Sequence, residues 1–488
     1  RLLLPNPSPF WRHRSVSWAS PFALQAAERL PFARAIERIE ASLRFGIDPS
    51  LAPIRCLLAE LGHPEYSYEC VQVAGTNGKT STSRYTAALL HAQGRKVGLY
   101  TSPHLVSYTE RVEVDGEPVG EELFALGVSY ALAAWERIAA RDEDMRAQGV
   151  TEFELLTAAA LVMYALEDVN CAVLEVGLGG RWDATSAVPT VGCALTGVAL
   201  DHTAILGDTL AKIAREKAAV IHPGIPVVLG PSAVSPAEVL EVVSERCEDT
   251  DVRPCVVSDA DHPVACDPDF LESEADLTTF AMHADGGDQG IVSFDVHVAV
   301  DVPDVGLIEA DYPQMSVRGP VYQPQNAACA LSLATAILAR PIPAAIARQA
   351  LLACPVPGRF QTLRCEPLAI VDACHNPQSA EAFCDAVRAA FPDAHHRPTL
   401  LVGALADKDH AGIVERVVPL FSRIVVTQSD SARAFPAADL AAEIESLCGV
   451  KPAAVYEDAR SALDALCGES FIACGTITLI GEIAAILA

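Results

Sequence analysis

The chain is short of positive charge. Against 63 Asp and Glu it carries 35 Lys and Arg, a formal net charge of −28 at pH 7 with histidine neutral. That balance argues against nucleic acid or an anionic membrane as a main partner, because both require a basic face to displace counterions. An anionic ligand must then be met by local positive groups. Paired cysteine spacing is also missing. The 15 cysteines are odd in number and scattered, with no C-x-x-C, which excludes the usual zinc knuckle and disulfide framework and suits reduced thiols in the cytoplasm. No apolar run approaches the ~18 residues needed to span a bilayer. Residues 1–20 mix Pro, Ser, Arg and Trp without the continuous apolar centre of a secretory signal and read as a flexible leader. Solenoid-period repeats and coiled-coil heptads are absent.

What is present is a composition for burial. The 488 residues are 51% hydrophobic and 20% charged, enough for two or three packed domains. Apolar residues at helical spacing (Ala33, Ile36, Ile39, Leu43) open the chain, and Phe45-Gly46-Ile47-Asp48-Pro49 breaks the pattern as a loop. Short apolar strands are expected at 97–100, 172–176, 192–198 and 227–229, with helices at 153–166 and 209–221 between them, the alternation of a parallel sheet covered on both faces. Residues 248–311, with a turn at Asp285-Gly-Gly-Asp288, read as an antiparallel β excursion. A helix follows from about Gln325 to Ala339. Cys354-Pro-Val-Pro-Gly358 is the best linker. Beyond it, strands at 368–372, 399–403 and 424–427 alternate with helices near 379–391, 411–421 and 437–447. The expected division is a leader over 1–20, an ATP-binding unit with a parallel sheet over 21–357 and a Rossmann-like α/β unit over 358–488.

Val73-Ala-Gly-Thr-Asn-Gly-Lys79-Thr80-Ser81 lies between a strand and a helix and has the chemistry of a phosphate cradle. Glycines let backbone N–H groups converge on phosphate oxygens, the helix N-terminus adds partial positive charge, and Lys79 supplies a compact cation. Val73 stands where the general G-x4-G-K-[ST] pattern has glycine, and a glycine-rich turn that binds nothing is the alternative. Further polar segments fall at strand ends, the edge where open α/β sheets bind ligands. Glu175 is an acid inside an apolar run, suited to Mg²⁺ beside a triphosphate or to a core arginine. His202, after Asp201, divides evenly between ligand and structural histidine. Lys217 reads as a solvated helix-face residue, and Asp372-Ala-Cys-His375-Asn376-Pro377 as a turn that could reach a nucleotide across a cleft.

Taken in order, these segments resemble the folylpolyglutamate synthase and dihydrofolate synthase family, a branch of the Mur ligases. The resemblance runs from about Phe32 to Ile486 and rests on the phosphate loop, Thr101-Ser-Pro-His104, Tyr108-Thr-Glu-Arg-Val112, Glu175-Val-Gly-Leu-Gly-Gly180, Leu200-Asp-His-Thr203, Leu206-Gly-Asp-Thr209 and Glu216-Lys-Ala218. Later matches are Gln323-Pro-Gln-Asn326, Pro357-Gly-Arg359-Phe360 and Leu405-Ala-Asp-Lys-Asp409. It implies a Mur-ligase-like fold and an ATP-dependent ligase that joins L-glutamate to a carboxylate of dihydropteroate or a reduced folate. In that pattern Thr76, Asn77, Gly78, Lys79 and Thr80 hold the ATP phosphates, with Asn326, Arg359 and Asp372 completing the nucleotide site and His375 near the phosphates. Ser102, Glu175 and His202 match magnesium ligands, with two sites implied. Lys217 matches a lysine that becomes N-carboxylated, and Phe153, Glu154, Trp182, Asp183 and Ala184 match segments that contact the pterin. Relatives imply a monomer.

The sequence departs from the pattern at Ala373 and Cys374, which replace a Gly-Ala pair, and at Trp182 and Ser186 in the Gly-Gly-Arg-Leu-Asp-Ala-Thr-Asn segment. Thr80 replaces a frequent glycine. That last change mildly favours a peptidoglycan-precursor ligase, which Thr151-Glu-Phe-Glu154 disfavours. A non-catalytic ATP-binding regulator would be expected to lack at least one of Lys79, Glu175, His202 and Lys217, and all four are present.

Overall fold

A computed structural model describes residue 18 and residues 29–44, 49–283 and 290–488. The expected leader, apart from Trp18, the loop at 45–48 and the turn at 285–288 lie outside the described residues.

Two sheets organise the chain. The first has eleven strands: β1 (Glu69–Ala74), β2 (Val97–Tyr100), β3 (Val112–Val114), β4 (Glu117–Pro118), β5 (Cys171–Glu175), β6 (Gly192–Gly197), β7 (Val227–Ser232), β8 (Cys255–Asp259), β9 (Asp276–Met282), β10 (Ile291–Val302) and β11 (Gly306–Arg318). Their order is β11-β10-β9-β8-β7-β6-β1-β5-β2-β3-β4, with β1 inside the sheet between β6 and β5. From β2 through β5, β1, β6, β7 and β8 to β9 every pair is parallel. Strands β5 and β6, on either side of β1, are buried along their whole length, as a sheet covered on both faces requires.

Residues 248–311 are not a purely antiparallel excursion, because β8 and β9 continue the parallel sheet and only β9, β10 and β11 run antiparallel. Helix Ala237–Asp249 supplies the crossover into β8 that makes the parallel pairing possible.

The second sheet has six strands: β12 (Gln361–Arg364), β13 (Ala369–Asp372), β14 (Thr399–Val402), β15 (Ile424–Val426), β16 (Ala454–Val455) and β17 (Phe471–Cys474), ordered β12-β13-β17-β14-β15-β16. It is parallel except for β12. Helices Pro377–Ala390, His410–Val417 and Ala437–Cys448 pack on one face, helices Ala459–Ala465 and Ile477–Leu487 on the other.

Helix Glu121–Arg141 is, among the described residues, the one helix long and apolar enough by composition to cross a membrane. No such length was expected, because Glu136 and Arg137 interrupt the apolar run. Its face carrying Phe124, Val128, Ala131 and Ile138 is buried, and it packs closely on helix Glu152–Leu166.

The two sheets meet at a tight backbone contact. Leu105, just after Ser102-Pro103-His104, lies against Gly358 of the linker and Gly481 of helix Ile477–Leu487. A Cβ on Gly481 would stand 2.0 Å from the Leu105 carbonyl oxygen.

Candidate functional site

The turn after β1 opens the site. Gly75 and Gly78 have φ of +144° and +86°, conformations that favour glycine, and added Cβ atoms would meet Thr196 Oγ1 at 2.0 Å and Asn326 Oδ1 at 2.6 Å. Gly78 caps helix Lys79–His91, so the first N–H groups of that helix face the cleft. Thr196 on β6 donates to the Asn77 carbonyl at 2.6 Å, and Thr76 N donates to Gly197 O at 2.8 Å, fixing the loop to the neighbouring strand.

Two lysines converge on this turn. Lys79 Nζ donates to the carbonyls of Gly75 and Thr76, both at 3.1 Å, and Lys217 Nζ donates to Gly75 O at 2.8 Å. Lys217 is 5% exposed. The solvated-face reading from sequence is therefore wrong: Lys217 ends helix Leu210–Lys217 and is directed inward at the loop. Burial, then the nearby Lys79 charge, pulls its ammonium pKa down to about 7. Burial lowers that of Lys79 too, opposed by Glu175 and Asp201.

Glu175, at the end of β5, is buried and accepts from Thr80 Oγ1 at 2.8 Å and from Ser102 N at 3.3 Å. Burial raises its pKa, and Lys79 and the Thr80 hydroxyl counter that. A core-arginine partner is not what holds it. His202 lies further along the cleft, with Nε2 3.8 Å from Asp201 Oδ1 and 3.3 Å from Lys408 Nζ, its pKa lowered to about 4 chiefly by burial. Among the described residues no cluster of three or more His, Cys, Asp or Glu could hold a metal ion. The donors around Glu175 are hard oxygens, few in number, which fits a magnesium ion that keeps waters and shares phosphate oxygens rather than a protein cage.

The second sheet supplies the facing wall. Asp372, at the end of β13, is buried; it accepts from Tyr322 Oη at 3.0 Å, Phe360 N at 2.8 Å and Cys374 N at 2.8 Å. Burial raises its pKa, partly offset by Arg359. His375 Nε2 lies 3.4 Å from Asp201 Oδ2. Asn77 donates to Gln378 Oε1 at 2.6 Å, Asn376 Nδ2 donates to Asn77 Oδ1 at 3.1 Å, and Lys408 Nζ donates to Asp201 Oδ1 at 2.5 Å. The side chains of Asp201 and Lys408 are each 8% exposed, a near-buried ion pair that joins the two sheets. Burial works to raise the Asp201 pKa, but His375, His202 and Lys408 outweigh it and hold the carboxyl well below the usual range.

These groups line one cavity of about 430 Å³, which takes in Thr76, Asn77, Gly78, Lys79, Thr80, Ser102, Glu175, His202, Lys217, Asn326, Arg359, Asp372 and His375. The five residues matched to pterin contact are not on its lining. Glu154 closes a capping box with Thr151 at the start of helix Glu152–Leu166, Asp183 accepts from Leu178 N and Thr185 N, and Ala184 is in the core. The Phe153 ring packs against Gly177, and Trp182 is exposed. Sequence reasoning gave no role to Asp201, Lys408, Asn376 or Gln378. Lys408 sat in a quoted motif, but its partner is 207 residues away.

Comparison with known proteins places this arrangement. Residues 358–470 match the family model "Mur ligase, glutamate ligase domain". The chain is 31% identical over 434 residues to the dihydrofolate synthase/folylpolyglutamate synthase of Mycobacterium tuberculosis, covering 86% of this chain and 82% of that one. It is 36% identical over 410 residues to a probable bifunctional folylpolyglutamate synthase/dihydropteroate synthase of Haloferax volcanii, covering 83% of this chain but 44% of that longer protein. The structure of Mycobacterium tuberculosis folylpolyglutamate synthase complexed with ADP superposes with a TM-score of 0.79 at 27% identity, covering 94% of this chain and 98% of that one.

Proposed function

This chain belongs to the folylpolyglutamate synthase and dihydrofolate synthase family of Mur ligases, and from that premise we propose that it uses ATP to join the amino group of L-glutamate to a carboxylate of a pterin substrate. The acceptor is dihydropteroate, a reduced folate or both. One observation carries the reading: Lys79, Lys217, Thr80 and Glu175 from the first sheet share a single cavity with Arg359, Asp372 and His375 from the linker and second sheet.

The chemistry follows from that arrangement. The loop N–H groups of Thr76 to Thr80 and the Lys79 ammonium receive the triphosphate, while Asn326, Arg359 and Asp372 hold the rest of the nucleotide. Lys79 stabilises the charge that develops as the γ-phosphoryl group passes to the acceptor carboxylate, giving an acyl phosphate and releasing ADP. The glutamate amine then attacks, and the tetrahedral intermediate collapses to amide and phosphate. His375 stands beside Asp201, where it can orient the phosphate that leaves. Magnesium, if bound by Glu175, Ser102 and His202 with phosphate oxygens, supplies charge neutralisation. A neutral Lys217 amine is the form that reacts with carbon dioxide, so its lowered pKa supports carboxylation to a carbamate near a second ion. Phe153, Glu154, Trp182, Asp183 and Ala184 shape the segment beside the cleft that receives the pterin.

We assign the nucleotide-binding unit to 21–357 and the ligase unit to 358–488, a monomer working in the cytoplasm with small-molecule substrates and no nucleic-acid or membrane partner. Closure of the two units excludes water that would hydrolyse the acyl phosphate; identical small-angle scattering with and without MgATP plus pterin would count against closure.

The deciding experiment is product mass after incubation with MgATP and L-glutamate, with dihydropteroate in one tube and tetrahydrofolate in another. A gain of one glutamate on dihydropteroate establishes dihydrofolate synthase activity, and a gain on tetrahydrofolate establishes polyglutamylation. Gain in neither tube, with ATP binding intact, overturns the acceptor assignment.

A further inference from the structure

Gln72 is a polar side chain set in an apolar core. It stands on β1 just before the phosphate loop and is fully buried. By strand alternation it shares a face with Cys70, which belongs to the same apolar cluster as Leu174 of β5 and Ala184. Its amide nitrogen donates to Thr185 Oγ1 at 2.9 Å and to Ser186 Oγ at 2.8 Å. Both hydroxyls are themselves committed as donors, Thr185 to Asp183 Oδ1 and Ser186 to Gly180 O, each at 2.5 Å. The amide must therefore face them with its N–H groups, and its Oε1 is left buried without a partner among the described residues. An orphaned acceptor is costly. Stability does not explain a glutamine here, so its role lies in what the two donors hold.

Each branch ends at the cleft. On the first, the Asp183 carboxylate accepts from Leu178 N at 2.9 Å, and Gly177 and Leu178 line the nucleotide cavity with Glu175. On the second, Gly180 lies against the end of helix Leu210–Lys217. A Cβ there would stand 2.7 Å from Glu216 O and 3.0 Å from Lys217 O, and Arg181 N donates to Glu216 O at 3.0 Å. Ser186, a departure from the family pattern, is the joint of this branch. The Lys217 ammonium returns to β1 at Gly75 O, so β1 holds Lys217 from two points. The phosphate loop is fixed separately, by Thr196 and Gly197 of β6.

We propose that Gln72 is a positioning residue for the ligase reaction: without touching substrate, it sets the cavity wall at Gly177 and Leu178 and the Lys217 end of its helix against the phosphate loop. The inference rests on the function proposed above.

Gln72→Met tests it, because methionine nearly keeps the volume and removes both the donors and the orphaned oxygen. In the full chain the melting midpoint should stay within a few degrees of wild type, and the Kd for a non-hydrolysable ATP analogue with magnesium within about twofold. Turnover should fall by about tenfold or more, since sub-ångström displacement at reacting groups is felt on that scale. Hydrogen exchange over residues 177–186 should quicken about tenfold, with β1 and the phosphate loop unchanged. Thr185→Val should quicken exchange at Leu178 and Ser186→Ala at Arg181, each with part of the turnover loss; these two leave β1 intact and decide the matter if Gln72→Met does not fold. Unchanged exchange in the variants overturns the relay. Faster exchange with kcat within about twofold of wild type overturns its part in the reaction, and so does a nucleotide Kd weakened as far as kcat falls, which would place the fault in the phosphate loop. Wild-type protein that adds glutamate to neither dihydropteroate nor tetrahydrofolate overturns the proposed function and the reaction role with it, and the exchange data tell that failure apart from a failure of the relay.

Discussion

Replacing Gly481 by alanine should separate folding from catalysis. Gly481 sits within helix Ile477–Leu487, where alanine is intrinsically favoured over glycine by about 1 kcal/mol. The added methyl would, however, stand 2.0 Å from Leu105 O and 2.9 Å from Leu105 C. Such contacts do not fall below 3.0 Å, so about an ångström of separation must open between the helix and Leu105. Leu105 cannot yield freely, because its N–H is held by Glu110 Oε2 at 2.8 Å and its side chain packs on Gly358. The second sheet therefore moves relative to the phosphate loop. A misplacement of about 1 Å far from the reacting atoms can cost on the order of 10²-fold in rate. Gly481→Ala should accordingly lower kcat by about two orders of magnitude while the thermal midpoint stays within a few degrees of wild type. Gly120→Ala, where an added Cβ meets nothing within 4 Å, is the control. Steady-state assays with circular dichroism melts give both readouts. A Gly481→Ala enzyme with kcat within twofold of wild type would refute the claim that this contact sets the cleft.

Lys79→Ala and Glu175→Ala should each abolish turnover with the melting transition retained; a variant that turns over at near wild-type rate loses its residue from the mechanism. With a Lys217 pKa of about 7, the reactive neutral amine is about a tenth of the population at pH 6 and nine tenths at pH 8. At constant dissolved carbon dioxide, reactivation of carbonate-depleted enzyme should therefore be about tenfold faster at pH 8, and a rate independent of pH would sink the carbamate. Lys217→Ala should be inactive and partly rescued by a small added carboxylate; full activity without rescue would also count against it. The Asp201 carboxyl is depressed in the folded state, so its contribution to stability is present above the unfolded carboxylate pKa of about 4 and is lost as pH falls below it. Asp201→Asn should thus lower the urea midpoint at pH 7, with the gap to wild type narrowing steadily as pH falls below about 4, and a gap constant with pH would contradict the ion-pair assignment.

How much of this could be read beforehand depended on how local the signal was. Strand β2 was legible to the residue because Gly94 and Thr101-Ser-Pro103 bound a short apolar run. Glu175 stood out because an acid inside a buried strand has few explanations. Lys217 was misread because helix amphipathicity shows which face is polar and not whether a loop 142 residues earlier covers that face. Helix Glu121–Arg141 passed unnoticed because Glu136 and Arg137 interrupt the apolar run, although both are on its wetter side. Strand β17 and the Asp201–Lys408 pair depend on neighbours far along the chain, which no local pattern encodes.

The interior position of β1 has a consequence for the making of the protein. The phosphate loop follows β1, but β1 takes its two neighbours from β5 and β6, and Thr196 on β6 is what ties down the loop. At ordinary synthesis rates of about 5–20 residues per second, the roughly 120 residues between the loop and β6 take on the order of 6–25 seconds to emerge. Through that interval the Gly-Lys turn lacks the strand that fixes it, and a ribosome-bound chain should show no affinity for the triphosphate before β6 clears the exit tunnel.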